Sequence, residues 1–298
     1  MTALPVPDPA PDVRMVLDLL AGRPFVALTG AGMSTDSGIP DYRGPNSPSR
    51  MPMTYAEFVS GPEAQQRYWA RSHLGWSRMK QAVPNDGHRA LAALEAAGRQ
   101  RMLITQNVDG LHEAAGSRSM CALHGRIAEV VCLGCRSSTS RASLHARLAA
   151  LNPGWGERHA DVEVRPDGDV ELSQTAGFRV PGCSACGGVL KPDVVFFGEN
   201  VPKPRVERCY AAVDALHPRS DLLLVLGSSL TVMSGLRFVR RACKRGVPVV
   251  VVNRGPTRAD DLPIHKLEHG TTELLTGLVT ELRTGGAPSR HRHGPLTG

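Results

Sequence analysis

Short apolar runs that each end in small or polar residues recur along the chain, at residues 25–28, 101–105, 222–226 and 248–252. Continuous apolar runs of this length are typical of parallel strands that are buried on both faces. Small residues directly after the last apolar position are expected where an open α/β sheet binds ligand outside the carboxyl ends of its strands. The pattern therefore predicts a ligand site along one edge of a parallel sheet.

Helical patterns separate these runs, at residues 86–97, 204–216 and 235–245, and a further helix is predicted to begin at Ser34. Alternation of strands and helices is typical of a doubly wound parallel sheet. The predicted fold class is therefore α/β, with a Rossmann-like core.

Two segments interrupt the alternation, and we predict one domain over residues 14–283 with two insertions. The tail at residues 285–298 consists largely of Gly, Pro, His and Arg and is predicted to be disordered. The predicted parts of the domain are a nucleotide-binding core of residues 14–43, 84–126 and 193–283, a helical and cofactor-loop insertion of residues 44–83, and a small zinc module of residues 127–192.

The composition is typical of a soluble globular protein, since 41% of the 298 residues are hydrophobic and the formal net charge is +7. We see neither a signal-peptide pattern at the N-terminus nor an apolar stretch long enough to cross a bilayer, so a cytoplasmic location is expected. Lys and Arg are scattered, which argues against a nucleic-acid partner. We expect a monomer.

Two Cys-x-x-Cys pairs carry the strongest chemical signal. Cys132 with Cys135 and Cys183 with Cys186 supply four thiolates on two tight turns, the ligand set of a closed tetrahedral zinc site. Such a site has no open position for substrate. We therefore predict one structural Zn²⁺ per chain that takes no part in the chemistry.

The first predicted strand runs into Gly30-Ala31-Gly32, a turn of the kind that cradles phosphate at the start of a helix. Two spaced glycines alone are weak support. The dehydrogenase fingerprint needs a third glycine where Thr35 stands, and no acidic residue follows a second strand at the usual interval. A hydride-transferring Rossmann enzyme therefore fits poorly.

A more specific signal comes from six segments, which are Gly-Ala-Gly-Met-Ser with Gly-Ile-Pro-Asp-Tyr-Arg (30–34 and 38–43), Thr-Gln-Asn-Val-Asp-Gly-Leu-His (105–112), Leu-His-Gly (123–125), Lys-Pro-Asp-Val-Val-Phe-Phe-Gly-Glu (191–199), Gly-Ser-Ser (227–229) and Val-Asn (252–253). With these segments in the order of one known family, the chain resembles the sirtuins over nearly its whole length. The segment Gln66 to Arg71 and the long spacer between the cysteine pairs resemble the class II branch, whose animal members are mitochondrial.

The resemblance implies NAD-dependent removal of acyl groups from protein lysine side chains, with nicotinamide and O-acyl-ADP-ribose as products. His124 is then the candidate general base, because imidazole titrates near neutrality. Asn107 and Asp109 would orient the ribose and the nicotinamide carboxamide, whereas His112 would have a packing or supporting role. Without the resemblance, His124 would read as a structural histidine, and Asn107 and Asp109 as turn caps.

The resemblance also implies the NAD contacts. The glycine turn would approach the pyrophosphate, a loop with Asp41 and Arg43 would order over NAD, and Thr271 would present a backbone amide to adenine. The full predicted set is Gly30, Ala31, Gly32, Ser34, Thr35, Asp41, Tyr42, Arg43, Gln106, Asn107, Asp109, Gly227, Ser228, Ser229, Asn253, Arg254 and Thr271.

Acylated lysine in proteins or peptides is the implied partner. Residues 194–199 are predicted to form an extended strand that pairs with the substrate backbone, although a plain core strand explains the same run. The predicted substrate-binding residues there are Val194, Val195, Phe196, Phe197 and Gly198.

Tyr68 and Arg71 resemble the pair with which the desuccinylating branch of the family holds an acyl carboxylate. Three residues apart on a helix, they would share a face. An amphipathic helix with an inward Tyr and a solvated Arg accounts for the same spacing. The preferred acyl group therefore stays open. Tyr42 stands at a position that is Phe in many deacetylases, and this difference leaves acetyl open as the preferred group.

Other functions remain to be distinguished. Within the family, a mono-ADP-ribosyltransferase and a lipoyl, biotinyl or long-chain deacylase are the nearest alternatives. A zinc-ribbon nucleic-acid adaptor is more remote, because Arg136 is the only basic residue between Cys132 and Ser140.

Overall fold

The computed structural model describes residues 13–41, 52–159, 172 and 174–284. These residues include nine strands and ten helices. The predicted tail therefore lies outside the described residues, as do Tyr42 and Arg43. Within the described ranges, no helix is both long and apolar enough to span a membrane.

Strands are numbered in chain order. They are β1 (Phe25–Thr29), β2 (Gln100–Thr105), β3 (Met120–Ala122), β4 (Gly125–Cys132), β5 (Ser138–Ser140), β6 (Leu190–Val194), β7 (Leu222–Leu226), β8 (Val249–Val252) and β9 (His265–Leu267).

Helices are numbered in the same way. They are α1 (Val13–Gly22), α2 (Tyr55–Phe58), α3 (Pro62–Met79), α4 (Asp86–Ala96), α5 (Leu111–Ala114), α6 (Arg141–Leu151), α7 (Trp155–Arg158), α8 (Lys203–Asp214), α9 (Met233–Lys244) and α10 (Thr271–Thr284).

A six-stranded sheet in the order β3-β2-β1-β7-β8-β9 forms the core, and every neighbouring pair is parallel. With the three inserted strands set aside, this is the 3-2-1-4-5-6 order of a doubly wound fold. From β1 the chain adds β2 and β3 on one side of this strand. It later returns to the other side of β1, where β7, β8 and β9 follow in order. The α/β prediction is therefore confirmed, and the switch point of the sheet lies between β1 and β7.

Alternate residues of the central strands pack into two separate apolar clusters, one on each face of the sheet. Val26 and Leu28 of β1 pack on the face covered by α8 and α9. Phe25 and Ala27 pack on the opposite face, against α1, α4 and α10. Burial on both faces explains why these strands read as unbroken apolar runs rather than as an alternation.

The inserted segments share a third apolar cluster, which includes Trp69 of α3, Leu144 of α6 and Phe178. A small antiparallel sheet, in the order β5-β4-β6, supports it. Arg141 is completely buried in this region and donates to the Ser72 carbonyl at 2.8 Å, with its guanidinium 4.8 Å from the Trp69 ring centre. The helical insertion and the cysteine-bearing module are thus packed as one body.

Two secondary-structure predictions near the site are wrong. In place of a helix from Ser34, the chain forms two short 3-10 turns, Ala31–Met33 and Thr35–Ser37. Gly38 then adopts φ +81°, and Ile39 precedes a proline, which disfavours helical backbone. The strand predicted for residues 194–199 ends at Val194, and a turn closed by the Glu199 amide and the Phe196 carbonyl follows.

Candidate active site

A cavity of about 980 Å³ opens at the carboxyl ends of the parallel strands, beside the switch point. Cavities of this size hold small molecules up to the size of a dinucleotide. It brings together most of the predicted site residues. Those that line it are Gly30, Ala31, Gly32, Ser34, Asp41, Tyr68, Gln106, Asn107, Asp109, His124, Val194, Val195, Phe196, Phe197, Gly198, Gly227, Ser228, Ser229, Asn253 and Arg254.

Of the predicted catalytic, NAD-contact and substrate-binding residues that the structure describes, three do not line the cavity. Thr35 donates through its hydroxyl to the Gly32 carbonyl at 3.1 Å, supporting the glycine turn. Thr271 is buried at the start of α10. Arg71 donates from Nε to the Leu172 carbonyl at 3.2 Å, on the side of the cysteine-bearing module.

The glycine turn after β1 packs directly against the turn after β7. A Cβ on Gly30 would lie 2.7 Å from the Gly227 carbonyl oxygen, and one on Gly32 would lie 2.9 Å from the Gly227 Cα. Both distances are too short for any side chain. The glycines are therefore required for the two turns to meet, and the amide of Gly32 donates to the Gly227 carbonyl at 2.9 Å.

Asn107, Ser34 and Asp109 form one hydrogen-bonded group at the cavity wall. Asn107 Nδ2 donates to the Gly30 carbonyl and to Ser34 Oγ, each at 3.0 Å, and Ser34 Oγ donates to Asp109 Oδ2 at 2.7 Å. Asp109 Oδ1 accepts from the Leu111 amide at 2.9 Å. Burial raises the pKa of Asp109, while these donors oppose the rise. The group holds two polar side chains in fixed positions for a ligand.

A buried hydrogen-bonded layer supports this wall from behind. The Thr29 hydroxyl donates to Thr105 Oγ1 at 2.9 Å and lies 3.0 Å from His112 Nε2. Burial lowers the pKa of His112 well below its ordinary value, so this imidazole is neutral. His112 is 1% exposed and faces protein on all sides, which agrees with the supporting role predicted for it.

His124 has the tautomer that a general base needs. Its Nδ1 lies 2.9 Å from the Gln106 carbonyl oxygen, which can only accept, so Nδ1 carries the proton. Nε2 is then an acceptor, 2.7 Å from the hydroxyl of Ser234. Burial lowers the pKa of His124 to about 4, against the opposing effect of the Gln106 bond. The ring is therefore neutral at pH 7 and can take up a proton at Nε2.

Ser234 is the residue that sequence reasoning missed. It lies at the second position of α9, where a polar residue reads as ordinary helix sequence. No spacing relates it to His124, which is 110 residues away in the chain. Arg237, one turn later in α9, also lines the cavity and went unnoticed for the same reason.

Tyr68 belongs to an aromatic group at the far wall of the cavity. Its ring centre lies 5.4 Å from that of Phe58 and 5.1 Å from that of Phe196. Nearby, the Val195 amide donates to the His124 carbonyl at 2.8 Å. The aromatic wall and the base thus face the same space.

The four cysteine sulfurs converge in the inserted module, all within 4.8 Å of one another. Cys132 Sγ lies 3.5 Å from Cys186 Sγ, and Cys135 Sγ lies 3.8 Å from Cys183 Sγ. Four sulfurs at about 2.3 Å from a tetrahedral Zn²⁺ would be about 3.8 Å apart. The donor set and its spacing therefore fit a structural zinc ion.

Comparison with known proteins gives the same picture. Residues 30–234 match the model of the Sir2 family. A protein of Mycobacterium avium named NAD-dependent protein deacetylase 1 is 55% identical over 267 residues, covering 89% of this chain and 93% of its own. A Streptomyces coelicolor protein of the same name is 50% identical, covering 93% of this chain and 92% of its own.

Solved structures agree. A Sir2 complex with a p53 peptide and NAD⁺ superposes with a TM-score of 0.69 at 32% identity, covering 92% of this chain and 99% of that one. Sir2Tm bound to a propionylated peptide gives a TM-score of 0.68 at 31% identity, covering 92% and 98%. The predicted family is confirmed, and the chain belongs to the Sir2 family.

Proposed function

We propose that the chain catalyses the NAD-dependent removal of acyl groups from lysine side chains of proteins. The observation that carries this proposal is the single cavity that joins His124 to the Asn107–Ser34–Asp109 group at the switch point of a doubly wound sheet. Relatives that are 55% and 50% identical over the aligned 89% and 93% of this chain are named NAD-dependent protein deacetylase 1. The products of such a reaction are the deacylated lysine, nicotinamide and O-acyl-ADP-ribose.

The residues at the cavity fit NAD. The glycine turn after β1 and the turn after β7 pack together and both line the cavity, as do Ser228, Asn253 and Arg254. When bound, NAD supplies a ribose carbon from which nicotinamide departs. We assign to Asn107 and Asp109 the orientation of the ribose and the nicotinamide carboxamide.

We assign the proton-accepting role to His124 Nε2. The Gln106 carbonyl accepts a hydrogen bond from Nδ1, so Nε2 is the acceptor atom of a ring that lines the cavity. A neutral imidazole at pH 7 can take a hydroxyl proton from the bound substrate without first losing its own. The aromatic wall that includes Tyr68 and Phe196 would exclude water from the acyl-lysine side.

The experiment that tests the function is nicotinamide release from NAD in the presence and absence of an acetylated lysine peptide. We expect release to require the peptide and to equal the deacylated peptide formed. Transfer of ADP-ribose to a protein would instead support the mono-ADP-ribosyltransferase. Lipoyl, biotinyl and long-chain acyl peptides in the same assay address the other family alternative.

Asn107→Ala should slow nicotinamide release by about tenfold or more, because the amide that orients the leaving group is lost. Nicotinamide formation in a single turnover measures this step directly. Asn107 also tethers the Gly30 carbonyl and Ser34, so thermal unfolding is measured beside it. Normal release in a stably folded variant would remove Asn107 from this role.

Arg71→Met tests the predicted carboxylate clamp with Tyr68. If the guanidinium binds an acyl carboxylate, the variant should lose about 1.5–3 kcal/mol of transition-state binding for glutaryl-lysine and not for acetyl-lysine. Arg67→Met, on the same helix and paired with Glu57 at 3.2 Å, is the matched control. Equal loss on both substrates would make Arg71 part of the scaffold that holds Leu172.

We also propose that the chain belongs to the class II branch, is cytoplasmic and monomeric, and has no nucleic-acid partner. None of the seven cysteines forms a disulfide in the structure, which suits a reducing compartment. Size-exclusion chromatography with light scattering tests the monomer.

A further inference from the structure

The hydroxyl of Ser234 is hydrogen-bonded to Nε2 of His124, the atom that is proposed to accept the substrate proton. Its Oγ lies 2.7 Å from His124 Nε2, a short contact for a hydroxyl donor. Because Nε2 carries no proton in this tautomer, Ser234 must donate. Its two oxygen lone pairs remain available, since the structure shows no other hydrogen bond of this oxygen among the described residues.

The local backbone holds Ser234 in this position. Gly235 follows it, and a Cβ there would lie 2.6 Å from Gln106 Oε1, so the absence of a side chain at 235 leaves room for the Gln106 amide group beside α9. The Gln106 side chain donates from Nε2 to Ser228 Oγ at 2.9 Å. Its backbone carbonyl accepts the hydrogen bond from His124 Nδ1. Ser234 is 7% exposed, and both Ser234 and His124 line the cavity.

We propose that Ser234 relays the proton between the substrate hydroxyl and His124, an inference that rests on the function proposed above. The substrate hydroxyl donates its proton to Ser234 Oγ while the Ser234 proton moves to His124 Nε2. One O–H bond forms and one breaks at Ser234, so the serine is unchanged, and the imidazole becomes imidazolium. The substrate oxygen is left with the electron pair that it needs for attack.

A relay requires less rearrangement than displacement of the serine. A substrate hydroxyl that contacted Nε2 directly would have to replace the Ser234 hydroxyl, whose proton would then need a new acceptor in a largely buried position. In the relay, Ser234 keeps its bond to His124 and uses a free lone pair that nothing in the described protein occupies. The arrangement is thus already assembled before substrate binds.

The first test uses the ligand-free protein and does not depend on activity. Nitrogen-15 NMR of His124 should show an Nδ1–H tautomer in the wild type and in Ser234→Thr, which keeps the hydroxyl. In Ser234→Ala the neutral ring loses a donor, so the pKa of His124 should rise by about 0.5–1 unit. Arg205 and Arg237, the charged neighbours that also lower this pKa, are unchanged in both variants. An unaltered Nε2 shift in Ser234→Ala would overturn the hydrogen bond.

The second test follows the deacylated peptide in single turnovers. We expect Ser234→Ala to form it at least about tenfold more slowly than wild type and Ser234→Thr to recover most of the rate. The rate is then measured in mixtures of H₂O and D₂O. Transfer of two protons in one step makes the rate a curved function of the D₂O fraction in wild type, whereas transfer of one proton makes it linear in Ser234→Ala. A Ser234→Ala rate equal to or above wild type would overturn the relay. A wild-type protein that consumes no NAD with any acyl peptide would instead refute the proposed function.

Discussion

His124→Ala is expected to reduce deacylation by a factor of about 10² to 10⁴, which corresponds to roughly 3–5 kcal/mol in the activation barrier. The imidazole is the base that we propose, and its pKa of about 4 keeps it unprotonated across the neutral range. Alanine removes the acceptor Nε2 and leaves Ser234 without a partner for its proton. No other histidine of the described chain lines the cavity, so we expect no substitute base.

Deacylated peptide measured by chromatography at saturating NAD and acetyl peptide gives the rate. His265→Ala is the matched control, because this histidine is exposed on β9, away from the cavity. We expect the control to keep wild-type turnover and both variants to unfold at temperatures close to wild type. Equal turnover in His124→Ala and wild type would show that the base lies elsewhere.

Cys183→Ser is expected to remove the zinc ion and to lower stability and activity together. Binding of structural zinc contributes on the order of 10 kcal/mol to the folding of small metal-dependent modules, which is comparable with the net stability of a whole domain. Cys132 and Cys183 are also buried in the apolar cluster shared with α3 and α6. Loss of the metal should therefore loosen the wall of the cavity that includes Tyr68.

Metal analysis of the purified protein should give one zinc per chain in the wild type. Cys243→Ser is the control, since this thiol lies in α9 outside the sulfur cluster and should keep full zinc and stability. Treatment of the wild type with a chelator should reproduce the Cys183→Ser unfolding temperature. Fully active wild-type protein with clearly less than one zinc per chain would contradict the assignment.

The sequence predicted the parallel core closely because its signals are local. A strand buried on both faces must be apolar along its whole length, and residues 222–226 were identified with the bounds that the structure shows. The spacing within each Cys-x-x-Cys pair likewise fixes two sulfurs on one turn. Resemblance to a family then grouped residues far apart in the chain, including His124 and Asn107.

The errors lie where tertiary contacts override local pattern. Residues 194–199 carry the apolar run of a strand, yet the Val195 amide donates to the His124 carbonyl and Phe197 bridges to Thr54, so the chain leaves β6 and turns. After Gly32, close packing against Gly227 and the left-handed Gly38 replaced the expected helix by two short turns. The contacts with His124, Thr54 and Gly227 are not visible in the local sequence, whereas Gly38 and the Ile39-Pro40 step are.

What the sequence alone determined was the four central strands of the parallel sheet, the paired cysteines and the family, since each depends on residues close together or in a known order. Only the tertiary structure decided what contacts the His124 ring. It places His124, which follows β3, beside the start of α9, and the glycine at 235 leaves room there for the Gln106 side chain. The Ser234 hydroxyl thereby reaches Nε2 across 110 residues of chain, a distance that no periodicity encodes.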